Sequence, residues 1–112
     1  MTATYNLVCP QATTFTFAFR PQTGGVNWNL TGYTATMTVR PFAGSSTTTL
    51  LATTANGRIS INTSTSIVTV TFTAALTNIT AETYAYDFVF YTGGTTIRLL
   101  EGKFLVPIGV TV

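Results

Sequence analysis

The stretch TYAYDFVF, residues 83–90, decides the fold because an aromatic residue occupies every second position. Successive side chains of a β-strand point to opposite faces of its sheet, so this period of two predicts a strand with one buried face. We expect Asp87 to lie on the outer face and the aromatic side chains to pack in the core. The aromatic set is Tyr84, Tyr86, Phe88 and Phe90.

The same period of two runs through most of the chain. Apolar residues alternate with threonine, whose branched side chain suits a pleated surface and whose hydroxyl reaches water. In one such run Phe15, Phe17 and Phe19 occupy alternate positions, and we expect all three to be buried. Clusters of glycine, proline and asparagine separate the runs and mark turns. Residues 74–82, with Leu76 and Ile79, are expected to cross between two sheets and close one end of the core. Eight strands are predicted, at residues 4–9, 13–20, 33–40, 48–54, 58–62, 67–73, 83–91 and 96–106.

Glycine-containing turns predict two strand pairs. Asn56-Gly57 is a two-residue hairpin signal between the fourth and fifth predicted strands. Gly93-Gly94 joins the last two predicted strands in a second hairpin. Gly24-Gly25 is read as a further turn.

The last hairpin gives a register. With the glycine pair as its turn, Val89 faces Arg98 and Phe88 faces Leu99. Asp87 and Arg98 are then diagonal neighbours on the outer face, within reach of a long side chain. An exposed ion pair of this kind contributes about 0–1 kcal/mol, so we expect it to matter more for register than for stability.

The return strand of this hairpin does not keep one register throughout. Its inward-facing residues begin at odd positions, Ile97 and Leu99, and end at even positions, Phe104 and Val106. A β-bulge resets such a parity, and glycine tolerates one. We therefore predict a bulge near Glu101-Gly102.

Short strands at this spacing are typical of a β-sandwich or a small barrel. We favour an all-β, immunoglobulin-like antiparallel sandwich of about 7–8 strands, with residues 1–112 forming one domain. Tyr84 starts a late strand after a loop, which is the place of the tyrosine corner in immunoglobulin-type sandwiches. In a corner, the hydroxyl bonds to upstream backbone; the alternative is a core tyrosine without that geometry.

The chain is poor in groups that carry chemistry. Of its 112 residues, 7% are charged, the net charge is +2, and there is no histidine and one cysteine, Cys9. Tyr5, Leu7 and Cys9 occupy alternate positions of the first predicted strand, and we read Cys9 as a small residue on its core-facing side. We therefore predict no enzyme activity, no metal site, no cofactor, no nucleic-acid partner and no membrane partner. So little charge favours a surface that copies of the chain or other proteins cover. The remaining acid–base candidates are Glu82, Asp87, Glu101 and Lys103, and before any bulge is introduced the hairpin register places Asp87 and Glu101 on opposite faces.

Two aromatic residues in loop segments are candidates for partner contact. Trp28 lies between glycine-containing turns, and Phe42 follows the third predicted strand. Tryptophan is enriched among residues that dominate binding energy at protein interfaces. The alternative for Trp28 is that it closes the open end of the sandwich.

Several motifs, in order, resemble a known family. Residues 29–40, NLTGYTATMTVR, are similar to an "LTGYTA-x-M-x-VR" element of small tailed-bacteriophage proteins. The resemblance continues through GRISI at 57–61, YAYDF at 84–88, LLEGKF at 99–104 and a closing Val110-Thr111. Together these motifs resemble the N-terminal immunoglobulin-like domain of phage baseplate upper proteins and short stand-alone relatives. One departure is Glu82-Thr83, where relatives usually place a glycine before the tyrosine.

The resemblance implies a non-enzymatic component of a phage virion, made in the host cytoplasm. Its expected partners are other phage structural proteins and further copies of itself. Two placements stay open: a capsid cement or decoration protein, and an adaptor on the tail, baseplate or fibre. The alternative outside this class is a carbohydrate-binding or adhesin-type module, which would expose Trp28 and neighbouring aromatic residues on an open flat face.

Overall fold

A computed structural model describes residues 3–107, and these residues contain strands and turns but no helix. Val110-Thr111 of the resemblance lies outside this range. All eight predicted strand segments are present, with the first one divided in two. The strands are β1 Ala3–Thr4, β2 Leu7–Val8, β3 Phe15–Phe19, β4 Gln22–Thr23, β5 Val26–Asn27, β6 Thr34–Arg40, β7 Leu50–Thr53, β8 Ile59–Asn62, β9 Ile67–Phe72, β10 Thr83–Thr92 and β11 Thr95–Leu105.

Two sheets form a sandwich, as the sequence predicted. Sheet 1 has the order β1-β11-β10-β6-β7, and β2 also pairs with β11. Sheet 2 has the order β3-β9-β8. Immunoglobulin-type sandwiches place their third, sixth and seventh strands in one sheet and their second, fourth and fifth strands in the other. The arrangement here matches when β6, β10 and β11 are taken as the first group and β3, β8 and β9 as the second.

The aromatic face of β10 forms the centre of the core. This strand lies between β11 and β6, so its inward side chains are covered from both sides. Phe88 and Phe90 are fully buried. The Phe88 ring meets Phe19 of sheet 2 edge to face, with centroids 5.1 Å apart, an arrangement that aromatic rings prefer. The predicted core face of residues 83–90 is confirmed, because Tyr84 and Tyr86 are buried as well.

The bulge in the last hairpin lies earlier than predicted. Val89 pairs with Arg98 as expected, but Phe88 pairs with Leu100, so Leu99 is the extra residue. The prediction of a parity shift is confirmed, whereas its placement at Glu101-Gly102 and the pair Phe88–Leu99 are wrong. The alternation of inward-facing residues requires the register shift to fall after Arg98 and before Phe104. One extra residue at any position in that range gives the same alternation, so the pattern does not locate the bulge.

Asn56-Gly57 does not form a hairpin. The strand before it, β7, pairs with β6 in sheet 1, whereas the strand after it, β8, pairs with β9 in sheet 2. The Asn56 side chain organises the turn, since its Oδ1 accepts hydrogen bonds from the backbone N–H groups of Thr53 and Arg58. Such an Asx-type turn reverses the chain locally without pairing the flanking strands.

Of two other connections, one was predicted from the sequence and one was predicted only in part. Residues 74–82 cross from β9 in sheet 2 to β10 in sheet 1, and Leu76 and Ile79 pack against the core as predicted. Gly24-Gly25 is a turn as expected, but it joins the short hairpin of β4 and β5, which the sequence did not predict. Each strand of this hairpin has two residues, too few for a period of two to be visible.

The N-terminal segment departs from an antiparallel sandwich. Both β1 and β2 pair in parallel with β11 instead of pairing with β3. Gly102 makes this possible, because a Cβ built there would overlap the Tyr5 carbonyl group and lie 2.9 Å from its carbon atom. The role of Gly102 is therefore close backbone approach and not a bulge.

We expect Gly102→Ala to lower the free energy of unfolding by about 1–3 kcal/mol, the cost typical of overpacking. The added methyl group pushes the N-terminal segment away from β11. Chemical denaturation followed by Trp28 fluorescence measures the change. Ser60→Ala, at an exposed position of β8, is the control and should be neutral within about 0.5 kcal/mol. Equal effects of the two substitutions would contradict this role of Gly102.

Candidate functional site

One edge of sheet 2 is unprotected within residues 3–107, because β3 pairs only with β9. The Thr71 N–H bonds to Arg58 on the β8 side, 2.9 Å from its carbonyl oxygen. Bonding directions alternate along an antiparallel strand, and Thr71 is the partner of Thr16. The N–H and C=O groups of Thr16, and of Ala18 two residues later, therefore point away from β9 to the free edge.

A groove of about 800 Å³ runs beside this free edge. We call it the edge groove, and its main apolar lining residues are Tyr5, Phe17, Phe19, Trp28, Leu99 and Leu100. The first three form a continuous row of rings. Tyr5 stacks on Phe17 with centroids 5.6 Å apart, and Phe17 lies 5.4 Å from Phe19. The groove is thus apolar surface between the two sheets, next to unpaired backbone groups.

Several polar side chains around the edge groove already bond within the chain. The Trp28 ring nitrogen donates to Thr23 Oγ1 at 2.8 Å. The Arg20 Nε donates to the Thr65 carbonyl at 2.9 Å. Arg20 is the one charged residue among those that line the groove, and no acidic residue is among them. The groove therefore suits an uncharged, apolar occupant better than an ion or a polar metabolite.

From the alternation in the sequence, Phe15, Phe17 and Phe19 were predicted to be buried together. Phe15 is buried, but Phe17 and Phe19 are only partly buried because they line the edge groove. Tyr5 was expected beside Leu7 and Cys9 on a core-facing strand. Instead Tyr5 is 52% exposed, since it lies between β1 and β2 and turns its ring onto Phe17.

The two loop aromatics, candidates for partner contact, lie in different settings. Trp28 is partly buried, packs 6.2 Å from the Phe90 ring and lines the edge groove. It therefore closes the sandwich end and contributes to an accessible surface at once. Phe42 is 65% exposed in the loop after β6 and does not line the groove. Its assignment as a contact residue stays a prediction.

The outer face of sheet 1 has a different character from the edge groove. Of the eight charged residues of the chain, five lie there on neighbouring strands: Arg40, Asp87, Arg98, Glu101 and Lys103. The predicted contact is present, with Arg98 Nε 3.5 Å from Asp87 Oδ2 and both side chains solvent-accessible. The hairpin register without a bulge places Asp87 and Glu101 on opposite faces. The bulge at Leu99 makes them direct cross-strand partners.

Two tyrosine hydroxyls of β10 hold the chain segments around it. Tyr84 Oη donates to the Thr80 carbonyl at 2.6 Å, which is the geometry of the predicted tyrosine corner. Tyr86 Oη donates to the Tyr5 carbonyl and so ties the N-terminal segment to sheet 1. Burial raises the pKa of Tyr86 to about 12, and the nearby Tyr5 adds to this. Burial also raises the pKa of Tyr84, and Glu82 adds to the rise.

Cys9 is buried, as the sequence predicted. Burial raises the pKa of its thiol to about 11, and a hydrogen bond with Thr77 works in the opposite direction. A thiol that keeps its proton is a poor nucleophile. Cys9 therefore acts as a small core residue.

No protein-family model matches the chain, and no curated protein matches its sequence.

Within residues 3–107, no three side chains of the histidine, cysteine, aspartate and glutamate types come together as metal ligands. The same residues form no helix of the length and apolarity that a membrane crossing needs.

We expect the free energy of unfolding to fall as the pH rises from 9 to 12. Cys9 and Tyr86 have folded-state pKa values of about 11 and 12, above their ordinary values of 9.0 and 10.0. The fold favours their protonated forms, so this stabilisation is complete below the ordinary values and is lost as pH rises through the folded ones. Denaturant unfolding at a series of pH values measures the fall.

Tyr86→Phe tests one of the two contributions to this alkaline loss. The substitution removes the hydrogen bond to Tyr5 and should cost about 1 kcal/mol at neutral pH. It should also flatten the pH dependence between 10 and 12, because the buried hydroxyl no longer titrates. Tyr91→Phe, at an exposed position of the same strand, should keep the wild-type profile. An unchanged slope in Tyr86→Phe would contradict the assignment.

Proposed function

We propose that this protein is a non-enzymatic structural component of a tailed-bacteriophage virion, and that the edge groove joins it to its neighbours in the particle, which include further copies of itself. The docking role rests on one observation: the unpaired edge of β3 lies beside an apolar groove that aromatic residues line. Strand edges of this kind are templates for pairing with another chain. The phage assignment comes from the ordered motifs that resemble the immunoglobulin-like domains of baseplate upper proteins.

The distribution of charge supports one face for solvent and another for contact. Five of the eight charged residues lie on the outer face of sheet 1. By contrast, the outward side chains of β3 and β9 are uncharged: Thr16, Ala18, Thr69 and Thr71. Cores of protein interfaces are depleted in charge and enriched in aromatic residues. Sheet 2 and its edge groove meet that description.

A non-enzymatic role agrees with the chemistry of the side chains. Asp87 and Glu101 are neighbours on the outer face of sheet 1, where they border a shallow pocket of about 200 Å³. Arg98 lies next to Asp87, and both carboxylates stand on an open surface instead of a cleft. The thiol of Cys9 is buried in its protonated form. These groups are better explained as a solvated face and a core residue than as catalysts.

The alternative function is a carbohydrate-binding or adhesin-type module. A module of this kind would carry Trp28 on an open flat face. In the fold, Trp28 is partly buried in a groove and its ring N–H bonds to Thr23. Sugar sites also combine an aromatic platform with free planar polar groups, whereas Gln22 and Asn27 beside the groove bond to each other at 2.6 Å. We therefore place virion docking first.

Virion docking is tested with tagged protein added to particles that lack it. We expect the wild-type protein to remain with the particles through a density gradient. Tyr5→Ser removes an exposed groove residue and should reduce particle association at least tenfold, because aromatic anchors dominate interface energy. Electron microscopy of the label separates the placements: signal over the shell indicates capsid cement, and signal on the tail indicates an adaptor.

Tyr91→Ser is the matched control, since Tyr91 is 42% exposed but lies outside the edge groove. It should leave particle association unchanged. Phe42→Ser, in the loop after β6, tests the second candidate surface. Loss of association in Phe42→Ser with retention in Tyr5→Ser would move docking away from the groove. Absence of the wild-type protein from particles would contradict the virion role.

A further inference from the structure

We propose that the free edge of β3 pairs with the same edge of a second copy, antiparallel and about a two-fold axis at Phe17. This inference deepens the proposed function and rests on it for the role of the edge groove. The pairing would join the two three-stranded sheets into one sheet of six strands, β8-β9-β3 continued by the same strands of the partner. It would also cover both edge grooves at once.

The first step is the chemistry of the occupant. Thr16 and Ala18 present backbone donors and acceptors along the free edge, and extended polypeptide satisfies such a row. The apolar lining beside them requires that the inward side chains of the occupant are apolar at alternate positions. The occupant is therefore a β-strand with one apolar face, not a compact ligand.

The second step is that β3 itself meets this description. Its sequence, FTFAF at residues 15–19, places aromatic side chains on the groove side and small side chains on the outer side. A dimer contact about a two-fold axis uses one patch on both subunits, so a strand that fits its own edge needs no further partner. Within residues 13–19 this edge carries no charge and no proline, which are two of the usual protective devices of edge strands.

The third step is the register, and an axis at Phe17, the middle residue of β3, pairs this strand over its whole length. Only the even-numbered residues direct backbone groups to the free edge, so they must oppose one another in hydrogen-bonded pairs. With the axis at Phe17, Thr16 of each copy exchanges two hydrogen bonds with Ala18 of the other. The two Phe17 side chains become a non-hydrogen-bonded pair, where Cβ atoms approach to about 4.5–5.5 Å. Phe15 and Phe19 meet across the same contact and extend the row of rings.

The fourth step is charge, which selects antiparallel pairing over parallel pairing. Arg20 is the only charged residue that borders this edge. Parallel, in-register pairing would place two arginines side by side. In the antiparallel arrangement Arg20 lies opposite Thr14 of the other copy. The two guanidinium groups then belong to positions about six residues apart along the strands, or roughly 20 Å.

The test measures the mass of the purified full chain by light scattering and sedimentation. We expect a dimer of the 12.0 kDa chain. Thr16 and Ala18 are exposed, so charged residues there leave the monomer folded. T16K/A18K places lysine opposite lysine twice and should raise the dimer dissociation constant about tenfold or more. T16E/A18E repeats the effect with the opposite sign of charge.

T16E/A18K is the matched variant that tests the register. In the proposed pairing each glutamate opposes a lysine of the other copy, so this dimer should persist at low salt. In a register centred on Thr16, glutamate would oppose glutamate and the dimer would be lost. Circular dichroism confirms that every variant keeps its strands.

Two results would overturn the inference: a wild-type monomer at high concentration, or a dimer that T16K/A18K does not weaken. Either result leaves the virion role open, because particle association of the same variants is measured separately. If the wild-type chain is a monomer and T16K/A18K nevertheless loses particle association, the free edge of β3 pairs with a strand of another virion protein. Dimerisation without particle association would support the pairing and contradict the virion role.

Discussion

The fold depends on how residues 3–8 are held: this segment pairs with β11 in sheet 1 and not with β3 in sheet 2. The Tyr5 N–H bonds to Glu101 at 2.9 Å, and the Tyr86 hydroxyl bonds to the Tyr5 carbonyl. Gly102 leaves room for that carbonyl where any larger residue would not. Because these contacts hold the segment on β11, no strand within residues 3–107 covers the outer edge of β3. The edge groove and its exposed aromatic rings follow from this choice.

A second feature of the fold is that the outer faces of sheet 1 and sheet 2 differ in the number of charged side chains. The outer face of sheet 1 carries most of the charge of the chain, arranged so that Arg98 and Lys103 neighbour Asp87 and Glu101 on the same hairpin. Exposed pairs of this kind contribute little to stability, but they keep that face solvated. The threonine-rich face of sheet 2 has no comparable group on β3 or β9. In a chain with only 7% charged residues, this separation leaves one side suited to contact.

The tyrosine corner at Tyr84 was one of two interpretations of its position at the start of a late strand. Local alternation was sufficient to predict the strands, the core face of β10 and the contact between Asp87 and Arg98. These features depend on parity along one strand or across one hairpin. The misplaced bulge and the false hairpin at Asn56-Gly57 have a different cause. A turn dipeptide specifies a chain reversal, but which strand becomes the partner is decided by the packing of the whole domain.

The candidate site was the hardest part to predict for the same reason. Trp28 was found because tryptophan in a loop is a recognised contact signal, whereas Tyr5 was assigned to a buried strand. Nothing local in the sequence says that the first segment leaves β3 for β11. A signal did exist in the glycine at position 102, within a strand that is otherwise free of glycine. It was interpreted as a bulge, although close backbone approach is the other usual reason for such a glycine.

Amide hydrogen exchange along β3, measured by NMR over a range of protein concentrations, tests the central claim most directly. The Phe17 amide bonds to β9 and should be protected at every concentration. The amides of Thr16 and Ala18 face the free edge, so they should exchange rapidly in dilute solution and become protected only as copies pair. Strong protection of Thr16 and Ala18 at the lowest concentration would mean that another segment of the same chain covers β3, and it would contradict the free edge.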